Sequence, residues 1–116
     1  MAMTEETLKT KLEGLTSRTA YAFKLPEKAT LPALTYKRIA SQVDLSHSGS
    51  GLSHTRYEIN CWANDYSTAL IDGSKVLAGL NGNKSDFQTS WVINTMDELE
   101  QDTNIYRTII EVMVLN

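Results

Sequence analysis

Residues 54–70, HTRYEINCWANDYSTAL, change rhythm once, at Asn64-Asp65. Before that pair, Tyr57, Ile59, Cys61 and Ala63 alternate with Arg56, Glu58, Asn60 and Trp62, the period of a strand with one buried face. After it, Tyr66, Ala69, Leu70, Gly73, Val76, Leu77 and Leu80 recur at helical spacing. Asn64 or Asp65 offers an N-cap, and Asn81-Gly82 a left-handed C-cap. A strand that runs straight into an amphipathic helix must have that helix fold back across its own sheet. Gly73 sits inside the apolar stripe, where it costs about 1 kcal/mol of helix propensity against alanine. A close approach of helix to sheet is the expected compensation. Trp62 is the anomaly, a large aromatic on the strand's polar row.

Working outward, LPALTYKRIAS places Leu34, Tyr36 and Ala40 on one face and Ile39 on the other, a second strand. Between the two strand-like runs lies DLSHSGSGLS, from Asp44 to Ser53, whose serine and glycine content predicts a long hairpin tip. The hairpin strands are expected at 33–43 and 53–63. Near the start, Leu8, Leu12 and Leu15 mark one face of a helix over 4–15, with Thr4 as cap and Glu5 and Glu6 at the positive end of its dipole. Residues 16–32 read as irregular, with a short extended piece around Tyr21–Phe23 limited by Pro26 and Pro32. Two β-rich runs close the chain, 86–96 with Phe87, Trp91, Val92 and Ile93, and 104–115 with IYRTIIEVMVL. The acidic segment MDELEQDTN joins them as a hairpin loop, with a short helical turn over Met96 to Gln101 as the alternative. The predicted fold is α+β, a four-stranded, mainly antiparallel sheet of two hairpins with two helices on one face. The order is α-β-β-α-β-β, and one domain spans 1–116.

A chain of 116 residues can bury one two-layer core. The formal charge of -3 leaves no basic footprint of the kind that duplex binding needs. No apolar run nears the roughly 20 residues of a membrane span, and no signal peptide is evident, so a soluble protein with no membrane partner is expected. Cys61 is the single cysteine and falls on the apolar row, where a reduced, buried thiol is the simplest assignment.

No constellation of nucleophile, base and orienting group emerges, so no catalytic residue, metal or cofactor is predicted. His47 and His54 flank the hairpin tip near Asp44, but seven residues of separation is no metal-ligand spacing. LNGNKS lacks the spacing and the preceding strand of a phosphate loop. Arg38, Arg56 and Lys37 on the first hairpin are assigned to cross-strand pairs with carboxylates such as Glu58.

The last strand carries the functional signal. Tyr106, Thr108, Ile110, Val112 and Val114 form a face for the helices, yet the opposite face, Ile105, Arg107, Ile109, Glu111, Met113 and Leu115, is half apolar. A sheet covered on one side should show polar residues on the other. Either residues 16–32 fold over this face, or it meets another subunit. Burying even ~400 Å² of apolar area per subunit would be worth ~10 kcal/mol before association costs. Trp62, Ile105, Arg107, Ile109, Glu111 and Met113 are therefore the candidate subunit interface.

The order of LP-x-x-x-Y in LPALTYKRIAS, the strand RYEINCWA, the helix start NDYSTAL and the closing IYRTIIEVMV resembles the tail-completion or tail-terminator proteins of long-tailed bacteriophages and prophages. The likeness runs from about residue 4 to 115, on short, tolerant motifs. It implies a non-enzymatic ring, typically hexameric, that caps the tail tube and joins it to the head connector at the virion's head–tail junction. Such a ring would assemble in the bacterial cytoplasm. The implied partners are further copies of the chain, the tail tube protein and a head connector or adaptor, with DNA passing through unbound. On that basis Asp44, His47, Ser50 and His54 are candidate partner contacts, and Asp97, Glu98, Glu100 and Asp102 a candidate lumen lining. The competing reading is a monomeric or dimeric small-ligand-binding or enzymatic α+β module with a pocket between the second helix and the sheet, for which Tyr57, Tyr66 and Tyr106 are the partial candidates. Another head–tail adaptor of the same assembly pathway is a third.

Overall fold

The computed structural model describes residues 4–43, 53–87 and 89–115. In chain order it contains α1 (Thr4–Thr16), β1 (Ala20–Ala22), β2 (Ala33–Val43), β3 (Ser53–Ala63), α2 (Tyr66–Leu80), β4 (Thr89–Glu100) and β5 (Ile105–Leu115). The strands make one mixed five-stranded sheet in the order β1-β2-β3-β5-β4. The α+β class is as predicted, but the sheet has one strand more. β1 pairs in parallel with β2, with Ala20 opposite Leu34 and Ala22 opposite Tyr36. A three-residue strand is too short to show periodicity, and its parallel partner lies a whole loop away. The extended piece expected around Tyr21–Phe23 is thus present, and those two features hide only its membership of the sheet. Residues 20–22 of the irregular segment therefore extend the sheet sideways.

β2 and β3 form the antiparallel hairpin at the expected bounds, with a register shift between Arg38 and Ala40 that leaves Ile39 without a cross-strand partner. The second hairpin joins the first through β3 and β5, which pair from His54↔Leu115 to Ala63↔Tyr106. Its first strand differs from the prediction. β4 runs on to Glu100, so Asp97, Glu98 and Glu100 belong to a strand paired with β5 and only Asp102 lies in the connecting turn. Charged residues disfavour strands in isolation, but alternation lets each one face solvent or a partner, and pairing with β5 overrides the weak local preference.

Both helices join one core. Leu8 and Leu12 of α1, Val76 and Leu80 of α2, and Leu34, Tyr57, Ile59, Cys61, Ile110, Val112 and Val114 of the sheet pack in a single cluster. The junction at Asn64-Asp65 resolves in favour of Asp65, whose carboxylate accepts from the Thr68 backbone N–H at 3.0 Å. The predicted glycine compensation is also present. A Cβ on Gly73 would lie 2.7 Å from Cγ2 of Thr108 on β5, so the missing side chain lets α2 settle onto the sheet. A Cβ on Gly79 would run into the side chain of Leu15 on α1, so the missing side chain lets the two helices come together there. The buried stripe of α2 differs from the periodic one. It comprises Ala69, Asp72, Gly73, Val76 and Leu80, whereas Tyr66, Leu70 and Leu77 are exposed. Asp72 is 0 % exposed and pairs with Arg18 Nε at 3.1 Å, while its Oδ1 has no partner.

Candidate functional site

Alternation along β5 puts Ile105, Arg107, Ile109, Glu111 and Met113 on the face away from the helices, as expected, and register sets Trp62 beside Arg107. What these residues do there departs from the expectation of an open apolar surface. The indole N–H of Trp62 donates to Thr35 Oγ1 at 2.9 Å, and the Arg107 guanidinium stacks 5.0 Å above the Trp62 ring. Arg107 also donates through Nε to Glu98 at 3.0 Å and through Nη1 to Asn60 at 3.3 Å, and it lies 3.4 Å from Glu100. Asn60 in turn donates to Glu58 at 3.1 Å, and Glu58 lies 3.5 Å from Lys37. A polar chain thus crosses four strands, and Trp62 is half-buried within it. Ile109, set between Asn60 of β3 and Met96 of β4, is only 6 % exposed. Residues on the two flanking strands cover it, a consequence of β5 being an interior strand. Cross-strand neighbours some 5 Å away on both sides shield a medium-sized side chain. Met113, Ile105 and Glu111 are half-buried.

The acidic set is split by the same alternation. Glu98 and Glu100 join the Arg107 network on the outer face. Asp97 faces the other way, accepting from the Tyr66 hydroxyl at 2.9 Å and from Thr108 Oγ1 at 3.2 Å. The hydrogen bond to Asp97 holds the Tyr66 hydroxyl above its ordinary pKa, because ionising it would set two anions together. Of the hairpin-tip candidates, Asp44, His47 and Ser50 lie outside the described residues, and His54 sits in β3 opposite Gln42 and Leu115.

The exposed apolar surface lies elsewhere. Tyr66, Leu70, Ile71 and Leu77 of α2 are exposed, and so are Trp91, Ile93, Met96 and Leu99 of β4. α2 packs over β3 and β5 and leaves β4 largely uncovered, since a single helix is about 10 Å wide and spans only two or three strands. An open cleft of about 190 Å³ remains between α2 and β4, with Leu70, Leu77, Met96 and Thr108 in its walls. Next to it Tyr66, Asp97, Leu99 and Tyr106 bound a second hollow of about 240 Å³, where the Tyr66 and Tyr106 rings lie 5.8 Å apart. Sequence reasoning took Tyr66, Leu70 and Leu77 for core. Asp72, paired with Arg18, shares the buried stripe with Ala69, Gly73, Val76 and Leu80, and hydropathy alone places a carboxylate outside it.

β4 is also an edge. The loop after α2 covers only its start, where Ser90 exchanges backbone hydrogen bonds with Gly82 and Asn83 and where Asn81 Oδ1 accepts from the Val92 N–H. Beyond Val92 no described segment pairs with its outer side. An edge strand with exposed Trp, Ile, Met and Leu is a feature that soluble monomers avoid.

Enzyme-like features are sparse. A hollow of about 540 Å³ is an open surface between α1 and Asp86, crossed by the Lys11–Asp86 ion pair at 3.2 Å. The two clefts near α2 are smaller than ordinary ligand sites of roughly 300–1,000 Å³. Of the three tyrosines of the ligand-module reading, Tyr57 is buried in the core and only Tyr66 and Tyr106 reach a cleft. Among the described residues no three His, Cys, Asp or Glu side chains gather as a metal site, and no helix is long and apolar enough to cross a membrane.

No protein-family model matches the chain, and neither does any curated protein. A solved structure does. A chain of the "Virion of native gene transfer agent (GTA) particle" superposes with a TM-score of 0.61 at 14% identity, over 90% of this chain and 82% of that one. The fold is shared with a virion component. At this identity the likeness speaks for the fold alone.

Proposed function

We propose that this chain is a non-enzymatic structural component of a phage-like virion, a tail-completion protein that forms a ring on the tail tube and joins it to the head connector. The fold shared with the gene transfer agent virion chain over nearly the whole length carries this reading. The motif order that resembles the tail-completion family supports it from the sequence side. The exposed apolar side chains of α2 and β4, beside an open strand edge, supply the physical means of self-association. In this reading DNA passes through the ring without base contacts, and the chain's mild negative charge keeps the lumen from holding it.

Mass measurement in solution and negative-stain microscopy, with and without tail tubes, test the proposal. Closed rings, free or seated on tube ends, are the expected result. A chain that stays monomeric at high concentration and does not bind tube ends would refute it. Substitution of Ile109 is a poor probe of assembly, since a charge there enters the sheet's own interior. Surface positions on β4 are the better choice.

A further inference from the structure

Asn81-Gly82, which closes α2, is also the one Asn-Gly step in the sequence. Such a step carries its own reactivity. The Gly82 amide nitrogen can attack the side-chain carbonyl carbon of Asn81, because glycine has no side chain to block the approach. A bond forms between Gly82 N and Asn81 Cγ, the Cγ–Nδ2 bond breaks, and the amide proton leaves with Nδ2 as ammonia. Water then opens the cyclic imide at either carbonyl. One opening gives aspartate. The other gives isoaspartate, in which the main chain runs through the former side chain.

The reaction needs a free Gly82 nitrogen and a mobile Asn81 side chain, and the fold ties down both. Gly82 N–H donates to the Ser90 carbonyl at 2.8 Å. Asn81 Oδ1 accepts from the Val92 N–H at 3.1 Å, which fixes the side chain against β4. Asn81 N–H is itself bonded to the Leu77 carbonyl at 2.9 Å. Ser90, 0 % exposed, locks the junction from within by donating through Oγ to the Leu80 carbonyl at 2.6 Å. Asn83 closes the far side, where its Nδ2 donates to the Gly79 carbonyl at 3.0 Å and its own carbonyl accepts from Ser90 N–H at 2.9 Å. Asn81 and Gly82 are exposed to water, so hydrogen bonding and not burial withholds the reaction. A donor on Oδ1 would by itself favour attack, since negative charge develops on that oxygen. It does not decide the outcome, because a nitrogen whose proton is held by Ser90 is no nucleophile.

We infer that Asn81-Gly82 is a site of spontaneous deamidation that the native α2–β4 junction holds shut and that unfolding or local opening releases. The chain thereby records chemically the time it has spent open at this junction. Isoaspartate lengthens the main chain between α2 and β4. The bonds that Gly82 and residue 81 make to Ser90 and Val92 cannot then both re-form in register. The start of β4 loses the segment that covers its outer side, and the open edge grows.

Peptide mass spectrometry tests the site. The unaltered chain is held at mildly alkaline pH in buffer and, in parallel, in unfolding guanidinium chloride. The peptide spanning Asn81 is followed for the mass gain of amide-to-acid conversion. Conversion should run about tenfold or more faster in the denaturant, the effect of releasing two backbone hydrogen bonds together. Ser90→Ala, which removes the hydroxyl bond to Leu80, should raise the rate in buffer by about threefold or more and leave the rate in denaturant unchanged. Asn81→Gln keeps a side-chain acceptor and should abolish the conversion. Chain aged in denaturant and refolded should melt lower than fresh chain in proportion to its isoaspartate content. Equal rates in buffer and denaturant would overturn the protection by the fold. Conversion that persists in Asn81→Gln would assign the signal to Asn83 and overturn the site. Aged chain that melts like fresh chain would overturn the damage to β4.

Discussion

Replacing Gly73 with alanine sets two effects of opposite sign against each other, and the structure decides between them. Helix propensity alone makes the change stabilising by about 1 kcal/mol. The new methyl, however, would lie 2.7 Å from Thr108 Cγ2 and 3.2 Å from its Cβ, well inside the 3.5–4.0 Å of normal carbon contact. Thr108 cannot easily yield. It sits on the interior strand β5, paired on both sides with Cys61 and Asp97, and its hydroxyl donates to Asp97 Oδ1 at 3.2 Å. Overpacking of this kind costs about 2 kcal/mol. Gly73→Ala should therefore lose about 1 kcal/mol net, a fall of about 4 °C in melting temperature for a domain of this size. Equilibrium urea unfolding at fixed protein concentration, followed by tryptophan fluorescence, measures it. The decisive control is Thr108→Ser, which deletes the offending methyl and keeps the hydroxyl. In that background Gly73→Ala should become neutral or stabilising. If Gly73→Ala stabilises the unaltered chain, or if the Thr108→Ser background leaves its effect unchanged, the close approach does not govern this helix.

Three further outcomes follow from the same structure. Arg18→Met should destabilise by about 2–3 kcal/mol in urea unfolding, since it strands the buried Asp72 carboxylate. The figure lies below the roughly 3–5 kcal/mol of fully buried pairs because Arg18 is itself a third exposed, and converting both residues to apolar ones should recover most of the loss. Cys61 should resist a thiol reagent in the native protein and react at the rate of unfolding, because burial raises its pKa and denies access. Acid should weaken the fold through Glu13, Asp65 and Asp86, whose pKa values are lowered chiefly by hydrogen bonds from Ala20 N–H, Thr68 N–H and Asn83 respectively. A lowered carboxylate stabilises fully above its ordinary value near about 4 and loses that stabilisation as pH falls below it. Glu13→Gln should accordingly flatten the pH dependence of the melting temperature in that range, and an unaltered slope would contradict the assignment.

Strong local patterns carried over to the structure. The strand-to-helix switch at Asn64-Asp65 gave β3, α2 and the Asp65 cap, and the first hairpin's strands fall where alternation put them. Weak local patterns carried over only in part. The extended piece read around Tyr21–Phe23 is β1, but its parallel pairing with β2 was not legible, because three residues carry no register and the partner lies a whole loop away. The acidic run after Met96 reads as a loop in isolation and becomes strand because β5 offers it a ladder. The outer row of β5 was read correctly as a face, yet its apolarity alone did not reveal whether that face was open.

By itself, then, the amino-acid order determined the class of fold, the central hairpin, the second helix and the glycine at its closest approach to the sheet. These depend on periodicity, capping and residue size, which act between near neighbours. Tertiary structure alone decided that Ile109 is shielded by its own sheet, that Trp62 is tied to Thr35 and Arg107, and that most of the exposed large apolar side chains belong to α2 and the open edge β4. Those outcomes depend on which strands stand side by side and where a helix one cylinder wide comes to rest. Strand order and helix placement are set by the whole packed core, so no window of sequence contains them.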